Sequence, residues 1–280
     1  GTGSAINGWI VTANVPTGTI YRITDIGGSP TLTAQKTIGV GLGHGVNAQF
    51  ERGVQNWGIV LMSTGGGTEA HYTTDGTNWT TVLVNSFYDT WGPTWFCGLA
   101  LDPHTPGQAY LSTLTASGSS VSGSPPSGVI MKTTNYGASW SSTGISCGYM
   151  KAGAIVLPYA RPNTLFHGYR TGSGTSVHRL YRSVIGGAQT DISPVVSGHV
   201  YGVDGVVKVS NQNPTNRQIS VADDDPNYLI LVGTSVSANK RGVFLTRNAL
   251  AATPTWTTLI EPVTLGSELY LGSYFVNRSY

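Results

Sequence analysis

The sequence predicts an all-β protein built as a radial array of small antiparallel sheets, and three observations support this prediction. A short motif of strands and turns recurs five times along the 280 residues. Glycine is abundant, with 38 residues, which favours many tight turns. Apolar residues follow no sustained helical spacing, so we expect almost no α-helix. Together these features predict a β-propeller in which each repeat forms one blade.

The repeated motif is an aromatic or apolar strand followed by Thr or Ser, then Asp or Asn, then Gly and often Trp. Its clearest copies contain Asp75 with Trp79, and Asn135 with Trp140. Successive copies lie 50, 60, 50 and 63 residues apart, measured between the Asp-type positions Asp25, Asp75, Asn135, Ile185 and Asn248. The fourth copy has lost the acidic residue, and the fifth is stretched before its Trp256.

A second landmark lies upstream of this motif in the later repeats. It is an apolar strand, a turn rich in Pro, Asp and Asn, and another apolar strand, with the turns at residues 102–106, 161–163 and 225–227. Proline fixes φ in such a turn, and Asp or Asn caps the turn with its side chain. The two landmarks predict blades of four strands, joined in sequence order by short turns.

The number of blades depends on how the first repeat is completed. Its sequence contains only the later strands, near residues 9–12 and 19–22. We expect a strand at 268–277 to complete this blade, because pairing with the far end of the chain leaves no open sheet edge. The chain would then be a single domain, 1–280, with five blades. The alternative is a fragment of a six- or seven-bladed propeller.

Composition favours a protein that acts outside the cell. Only 10% of the residues are charged, against about 25% in an average soluble domain. Lys and Arg do not cluster, so we expect no nucleic-acid partner. No apolar run is long enough for membrane insertion, and no signal peptide is visible. Low charge with abundant Gly, Thr and Ser leads us to expect an extracellular, cell-surface or virion location.

The repeated turn resembles the Asp-box, Ser-x-Asp-x-Gly-x-Thr-Trp, of the sialidase superfamily of β-propellers. Residues 133–140 fit it with Thr for Ser, Asn for Asp and Ser for Thr, and residues 73–79 fit it one residue short. The Asp-Pro landmark also looks like the propellers of xyloglucanases and sortilin-like receptors. The resemblance covers nearly the whole chain and implies that the box is structural. On this basis the fold-holding residues are Asp25, Asp75, Asn135, Trp79, Trp140 and Trp256.

The sequence does not contain the complete catalytic sets of these related propellers. Sialidases use three arginines, a Tyr–Glu pair and an acidic Asp, and no string here matches that set. Xyloglucanase-type hydrolysis uses two aspartates that face each other between two propellers, so one propeller would supply half of the pair. Asp89 is the best single candidate, because its aromatic neighbours can raise the pKa of a carboxyl group. Asp204 is a similar candidate, and a turn-capping role is the alternative for both.

The remaining candidate ligands indicate no metal site and no cofactor. The six histidines lack the paired spacing of metal ligands. The acidic run 223–225 has the hard oxygen ligands that calcium prefers, but Asp225 also belongs to a predicted blade turn. We therefore interpret this run as a solvated corner. Cys97 and Cys147 permit one disulfide, and two buried thiols are equally compatible with the sequence.

An aromatic cluster between the second and third blades is the one positive indication of a binding site. Tyr88, Trp91 and Trp95 flank Asp89, and flat rings on a rigid scaffold suit stacking against sugars. The alternative for the two tryptophans is packing between blades. We predict a binding site formed by Tyr88, Asp89, Trp91 and Trp95, with further function in the long segments 112–128 and 195–214.

These features favour a non-enzymatic propeller that binds glycans or contacts neighbouring subunits, as a binding or structural module. A homo-oligomer or an assembly subunit is compatible with this prediction. The alternative is an extracellular glycoside hydrolase or lyase that uses Asp89 or Asp204, with the rest of its cleft on another domain. The fold alone does not choose between the two functions.

Overall fold

In the computed structural model of the protein, the chain forms antiparallel sheets joined by turns. The structure describes residues 8–14, 17–26, 28–39, 46–51, 56–64, 67–85, 98–114, 128–148, 154–171, 177–203 and 218–264. These ranges contain no α-helix, in agreement with the sequence, and therefore no helix with the length and hydropathy of a membrane span.

The strands group into five successive sheets and one hairpin. Sheet 1 contains β1 (Gly8–Asn14), β2 (Thr17–Thr24) and β3 (Thr31–Gly39). Sheet 2 contains β4 (Val46–Phe50), β5 (Gly58–Thr64), β6 (Gly67–Thr73) and β7 (Thr80–Asn85). Sheet 3 contains β8 (Leu99–Leu101), β9 (Ala109–Leu114), β10 (Gly128–Thr133) and β11 (Ser141–Gly148).

Sheet 4 contains β12 (Ile155–Val156), β13 (Thr164–Thr171), β14 (Val177–Val184) and β15 (Gln189–Asp191). A hairpin of β16 (Val195–Val196) and β17 (His199–Val200) follows it. Sheet 5 contains β18 (Ile219–Val221), β19 (Leu229–Ser235), β20 (Lys240–Thr246) and β21 (Trp256–Thr264).

Each sheet pairs its strands in sequence order and antiparallel, as the two landmarks predict. Sheets 3 and 4 are also joined by one parallel bridge between Gly148 and Arg170. The prediction of antiparallel four-stranded sheets is confirmed for sheets 2 to 5. Sheet 1 has three strands in the described part of the chain. The predicted strand 268–277 lies outside the described residues, so closure of sheet 1 and the number of blades stay predictions.

The turn after β10 shows how the repeated motif stabilises a sheet. The buried Thr133 hydroxyl donates to Asn135 Oδ1 at 2.9 Å and accepts the backbone N–H groups of Asn135 and Gly137 at 3.3 and 3.0 Å. Asn135 Oδ1 also accepts the Ser139 N–H at 2.9 Å. One hydroxyl and one amide oxygen therefore satisfy three backbone donors where the strand ladder stops. We call this arrangement a box turn.

The same pattern follows β6 and β20. Thr73 Oγ1 accepts the Gly76 N–H at 2.9 Å, while Asp75 Oδ1 accepts the N–H groups of Thr77 and Asn78 at 2.8 and 2.7 Å. In sheet 5, Thr246 donates to Asn248 Oδ1, which accepts the Thr255 N–H at 2.9 Å although the two residues are seven positions apart. The insertion in this copy therefore leaves the key hydrogen bond in place.

In the copy in sheet 4, which lacks the acidic residue, other contacts close the turn. Ser183 stands at the Thr position, but its hydroxyl bonds the buried His167 rather than the turn. The turn is closed by backbone bonds, with Gly187 N–H donating to Val184 C=O at 2.8 Å and Gly186 at a φ of 76°. Ile185 packs against the core between sheets 3 and 4. Apolar packing therefore takes the place of the amide at this position.

A second recurring hydrogen bond ties the two turns of a sheet together. The carbonyl oxygen of the Pro-type turn accepts a backbone N–H of the box turn in sheets 3, 4 and 5. The pairs are Tyr136 to Gly107 at 2.9 Å, Ile185 to Asn163 at 2.9 Å and Ala249 to Asn227 at 3.0 Å. In these three sheets both landmarks of the repeat thus lie at the same end, and we call the end of any sheet that holds its box turn the box end.

Four apolar clusters link the sheets in sequence order. Ile20 and Val60 belong to the cluster between sheets 1 and 2, and Leu61 and Leu111 to that between sheets 2 and 3. The other two clusters join sheet 3 to sheet 4 and sheet 4 to sheet 5. Among the described residues, no buried cluster combines sheet 5 with sheet 1.

The tryptophans of the repeat pack into these clusters, as predicted. Trp79 packs against sheet 1, where Trp9 lies edge-on to it at 5.5 Å. Trp140 joins the cluster between sheets 2 and 3. Trp256 joins the cluster between sheets 4 and 5, and its Nε1 donates to the Ile192 carbonyl of sheet 4 at 3.0 Å. Each Trp therefore binds its own sheet to the preceding one.

The box turn of sheet 3 provides a direct test of this role. Replacing Thr133 by Val keeps the side-chain shape but leaves the buried Gly137 N–H without its acceptor. We expect the free energy of unfolding to fall by about 1–3 kcal/mol, measured by denaturant titration. The control is Thr134→Val at the exposed neighbouring position, expected to change it by less than about 0.5 kcal/mol. Equal effects of the two changes would show that the box hydroxyl does not hold the turn.

Candidate functional site

The antiparallel order divides each sheet into a box end and an opposite end. In the four-stranded sheets 2 to 5, the turns between the first and second strands and between the third and fourth strands lie at the box end; in sheet 1 the box turn with Asp25 joins β2 to β3. In the same four sheets, connections between the second and third strands, and from one sheet to the next, leave from the opposite end. The two ends differ in available chemistry, because the polar groups of the box turns are already used in hydrogen bonds.

The predicted binding residues Tyr88, Asp89, Trp91 and Trp95 all lie outside the described residues. They belong to the connection from Asn85, the last residue of β7, to Leu99, the first residue of β8. Both of these strand ends lie at the opposite end of the sheets, away from the box turns. The catalytic candidate Asp204 also lies outside the described residues, just after the described Val203.

The long segments of the sequence connect strands at the same opposite end. The segment predicted as a loop at 112–128 is shorter than expected, because β9 continues to Leu114 and β10 begins at Gly128. The segment at 195–214 starts with the hairpin β16–β17, whose turn places Ser197 and Gly198 at positive φ. Gly202 then pairs with Thr234 of β19 and joins this segment to sheet 5.

The acidic side chain of the clearest box turn is fully committed to structure. Asp75 accepts backbone and side-chain hydrogen bonds from Asn78 and a backbone bond from Thr77. These bonds hold the pKa of its carboxyl group well below the ordinary value, with the backbone N–H of Asn78 making the largest contribution. A carboxylate so stabilised is a poor proton donor, which agrees with the predicted structural role.

The acidic run 223–225 forms a turn between β18 and β19. Asp225 Oδ1 accepts the N–H of Asn227 at 3.0 Å, and the Asp223 carbonyl accepts the Ala160 N–H from sheet 4. The run therefore connects two sheets. Within the described ranges, no group of three or more His, Cys, Asp or Glu residues has an arrangement that could hold a metal ion.

A serine and a histidine in sheet 4 have the geometry of a nucleophile and its base, but both side chains are closed off from solvent and substrate. Ser183 Oγ lies 2.7 Å from His167 Nε2, and His167 Nδ1 lies 2.8 Å from the Gly168 carbonyl oxygen. Both side chains have a solvent exposure of 0%. A substrate cannot reach them, so the pair satisfies two buried polar groups inside the sheet.

A second buried histidine takes part in a tie between sheets 1 and 2. Lys36 Nζ donates to Thr81 Oγ1 at 2.8 Å and to the Trp79 carbonyl at 3.2 Å. Thr81 Oγ1 lies 2.9 Å from His71 Nδ1. Burial, and then the charge of Lys36, lower the pKa of His71 to about 4. The histidine is therefore neutral near pH 7 and serves packing rather than proton transfer.

One partly exposed polar cluster at the opposite end of sheet 4 was not predicted from the sequence. It contains Tyr169 of β13, Arg179 and Tyr181 of β14, and Asp191 of β15. Arg179 and Tyr181 alternate along their strand, which places both on one face. That alternation is visible in the sequence, but the strand register that adds Tyr169 and Asp191 is not.

Cys147 is buried in the core between sheets 3 and 4. Cys97 lies outside the described residues, so a disulfide between the two cysteines and two buried thiols both stay compatible with the sequence.

No protein-family profile matches the chain, and no curated protein matches it. Solved structures, by contrast, match the chain. A GH74 enzyme from Niastella koreensis is 21% identical with a TM-score of 0.57, over 91% of this chain and 36% of its own. The GH74 xyloglucanase from Xanthomonas campestris is 11% identical with a TM-score of 0.58, over the same shares. An ancestral GH74 enzyme is 15% identical with a TM-score of 0.50, over 89% and 30%.

At these identities the likeness shows the fold. The chain has the propeller-like arrangement of antiparallel sheets found in these GH74 glycoside hydrolases. It spans about a third of their length. The resemblance deduced from the repeated turn is thus confirmed at the level of a propeller-type fold.

The buried histidines predict a pH dependence of stability. Burial lowers the pKa of His167 to about 4, whereas an unfolded His titrates near 6.5. Between these values the unfolded chain binds more protons, so stability falls as the pH decreases from about 6.5 to 4, by up to roughly 3 kcal/mol for this residue. Below the folded pKa this histidine contributes no further loss.

The measurement is the free energy of unfolding between pH 4 and 7. We expect His167→Gln to reduce the slope in this window, because the titrating group is removed. The control is His104→Gln at the exposed His104. An unchanged slope in His167→Gln, with a reduced slope in the control, would contradict the assignment.

Proposed function

We propose that this chain is the propeller part of an extracellular glycoside hydrolase and that its carbohydrate site lies at the opposite end of the sheets. The observation that carries the proposal is the likeness to GH74 enzymes over 91% of the chain. The geometry of the sheets supports the location, because the box end uses its carboxylate and amide groups to hold turns. The substrate class to test first is β-glucan of the xyloglucan type.

The connection 86–97 supplies the residues for this site. Asp89 would act as one of the two carboxyl groups that glycoside hydrolysis generally needs, and Tyr88, Trp91 and Trp95 would stack on sugar rings. Asp204 is the second candidate carboxyl group within the chain. The chain covers 36% of the GH74 enzymes, so a second carboxylate from another part of a longer protein is equally compatible with the mechanism.

A non-enzymatic glycan-binding module is the second candidate function. The sequence favours it, because it lacks the complete catalytic sets of the related propellers. The solved structures support the enzyme instead, since the three similar structures described above are GH74 glycoside hydrolases. Both functions place the ligand on the same residues. They differ in whether Asp89 and Asp204 catalyse hydrolysis of the bound glycan.

Release of reducing ends from xyloglucan separates the two functions. We expect Asp89→Asn to lower turnover by about 10²- to 10⁴-fold, because the amide cannot exchange the catalytic proton. Asp204→Asn tests the second candidate in the same way. The matched control is Asp224→Asn at the exposed Asp224 of the box end, expected to keep wild-type turnover.

Turnover that survives both Asp89→Asn and Asp204→Asn would contradict the proposed catalytic residues. Binding of xyloglucan by the wild-type chain without any release of reducing ends would contradict the enzyme and favour the binding module.

A further inference from the structure

The polar cluster of sheet 4 occupies one continuous face across three strands. Tyr169 of β13 pairs with Arg179 of β14, and Tyr181 of β14 pairs with Asp191 of β15. Directly opposed residues point to the same side of an antiparallel sheet, and residues two apart on one strand share that side. All four side chains therefore lie on one face. We call Tyr169, Arg179, Tyr181 and Asp191 the sheet 4 ledge.

The face changes from core to open surface along the strands. Towards the box end it carries Leu165, His167 and Ser183, each with a solvent exposure of 0%. Towards the opposite end, Tyr169 and Tyr181 are only half-buried, with ring centroids 4.4 Å apart and planes inclined by 33°. A pair of rings held against each other and partly open to solvent is a preformed apolar platform.

Charge on the ledge is balanced. Arg179 Nη1 donates to Asp191 Oδ2 at 2.9 Å, and the two side chains are 28% and 33% exposed. Ser193 fixes the carboxylate from behind, with its N–H at 3.0 Å and its hydroxyl at 2.6 Å from Asp191 Oδ1. A guanidinium has several N–H donors, and the ion pair uses one of them. The ledge thus has donors to offer but no net charge to attract an anion.

The tyrosine hydroxyl adds a group that both donates and accepts. Burial, then the charge of Asp191 and the neighbouring Tyr169, raise the pKa of Tyr181, while Arg179 lowers it. The phenol therefore stays protonated in ordinary conditions. It lies beside the ion pair, since Tyr181 and Asp191 are register partners.

Structural needs do not account for the ledge. Partly exposed ion pairs of this kind contribute only about 0–1 kcal/mol to stability. Sheets 3 and 4 are already held together on this face by Gln189, whose amide donates to the Ser146 carbonyl at 2.9 Å and accepts its N–H at 3.4 Å. The apolar cluster around Leu165 packs on the same side.

We propose that the sheet 4 ledge is a second carbohydrate-binding site, which takes a neutral pyranose unit of a polysaccharide. The C–H face of the sugar stacks on the tyrosine pair, and ring hydroxyls bond the remaining N–H groups of Arg179 and the oxygens of Asp191. The balanced charge selects neutral over acidic sugars. The inference rests on the carbohydrate specificity proposed above, but it uses none of the residues assigned to hydrolysis.

Affinity electrophoresis in native gels that contain xyloglucan measures this binding independently of turnover. We expect Tyr169→Ala to weaken retardation by about tenfold or more, because it removes one ring of the platform. Arg179→Gln and Tyr181→Phe are milder changes and should each weaken it by several-fold. The matched control is Tyr159→Ala at the exposed Tyr159 of the box end, expected to bind like the wild type.

Thermal unfolding of each variant shows whether it is folded. If Tyr169→Ala does not fold, the milder variant Tyr181→Phe still tests the inference. Wild-type retardation of folded ledge variants would overturn the inference. Stronger retardation by polygalacturonate, an anionic polysaccharide, than by xyloglucan would overturn its choice of a neutral sugar. Loss of binding in the ledge variants, with no release of reducing ends by any protein, would refute the proposed hydrolase and support the ledge.

Discussion

The fold depends on contacts between a box turn and the sheet before it, as sheets 3 and 5 show. Tyr72 of sheet 2 approaches Gly137 so closely that a Cβ there would lie 3.1 Å from the Tyr72 Cβ, and Gly137 also has a φ of 104°. Trp57 Nε1 donates to the Tyr136 carbonyl at 3.3 Å in the same turn. Arg182 of sheet 4 reaches the box turn of sheet 5, donating to the Ala249 and Ala251 carbonyls at 2.9 Å. Because the hydroxyl and amide groups fix the turn from inside, it offers a rigid surface to the neighbouring sheet.

With the proposed ligand sites, this constraint separates stability from ligand binding within one repeat. The box end uses its polar side chains to satisfy backbone donors, and apolar clusters fill the spaces between sheets. The opposite end carries the ends of β7, β8 and β18, which the connections 86–97 and 204–217 join in sequence, and the half-buried aromatic and charged residues of the sheet 4 ledge. A scaffold of repeated sheets can thus keep its turns while the chemistry at the other end changes.

The sequence predicts the parts of the structure that depend on local chemistry. Thr133 and Asn135 could be assigned to a turn because their hydrogen bonds span only a few residues. The partner of Ser183 could not, because His167 is brought to it by strand pairing across 16 residues. The ledge was missed for the same reason, since its four residues meet only through the register of three strands. The aromatic segment around Asp89 was found from composition, and its role remains a proposal.

Hydrogen exchange with and without a xyloglucan oligosaccharide tests the division between the two ends most directly. This division predicts slower amide exchange on ligand binding in peptides that cover residues 86–97 and the ledge strands 164–171 and 177–184. Exchange in the box turns, residues 73–79 and 133–140, should not change. Protection concentrated in the box turns, with none at the opposite end, would contradict it.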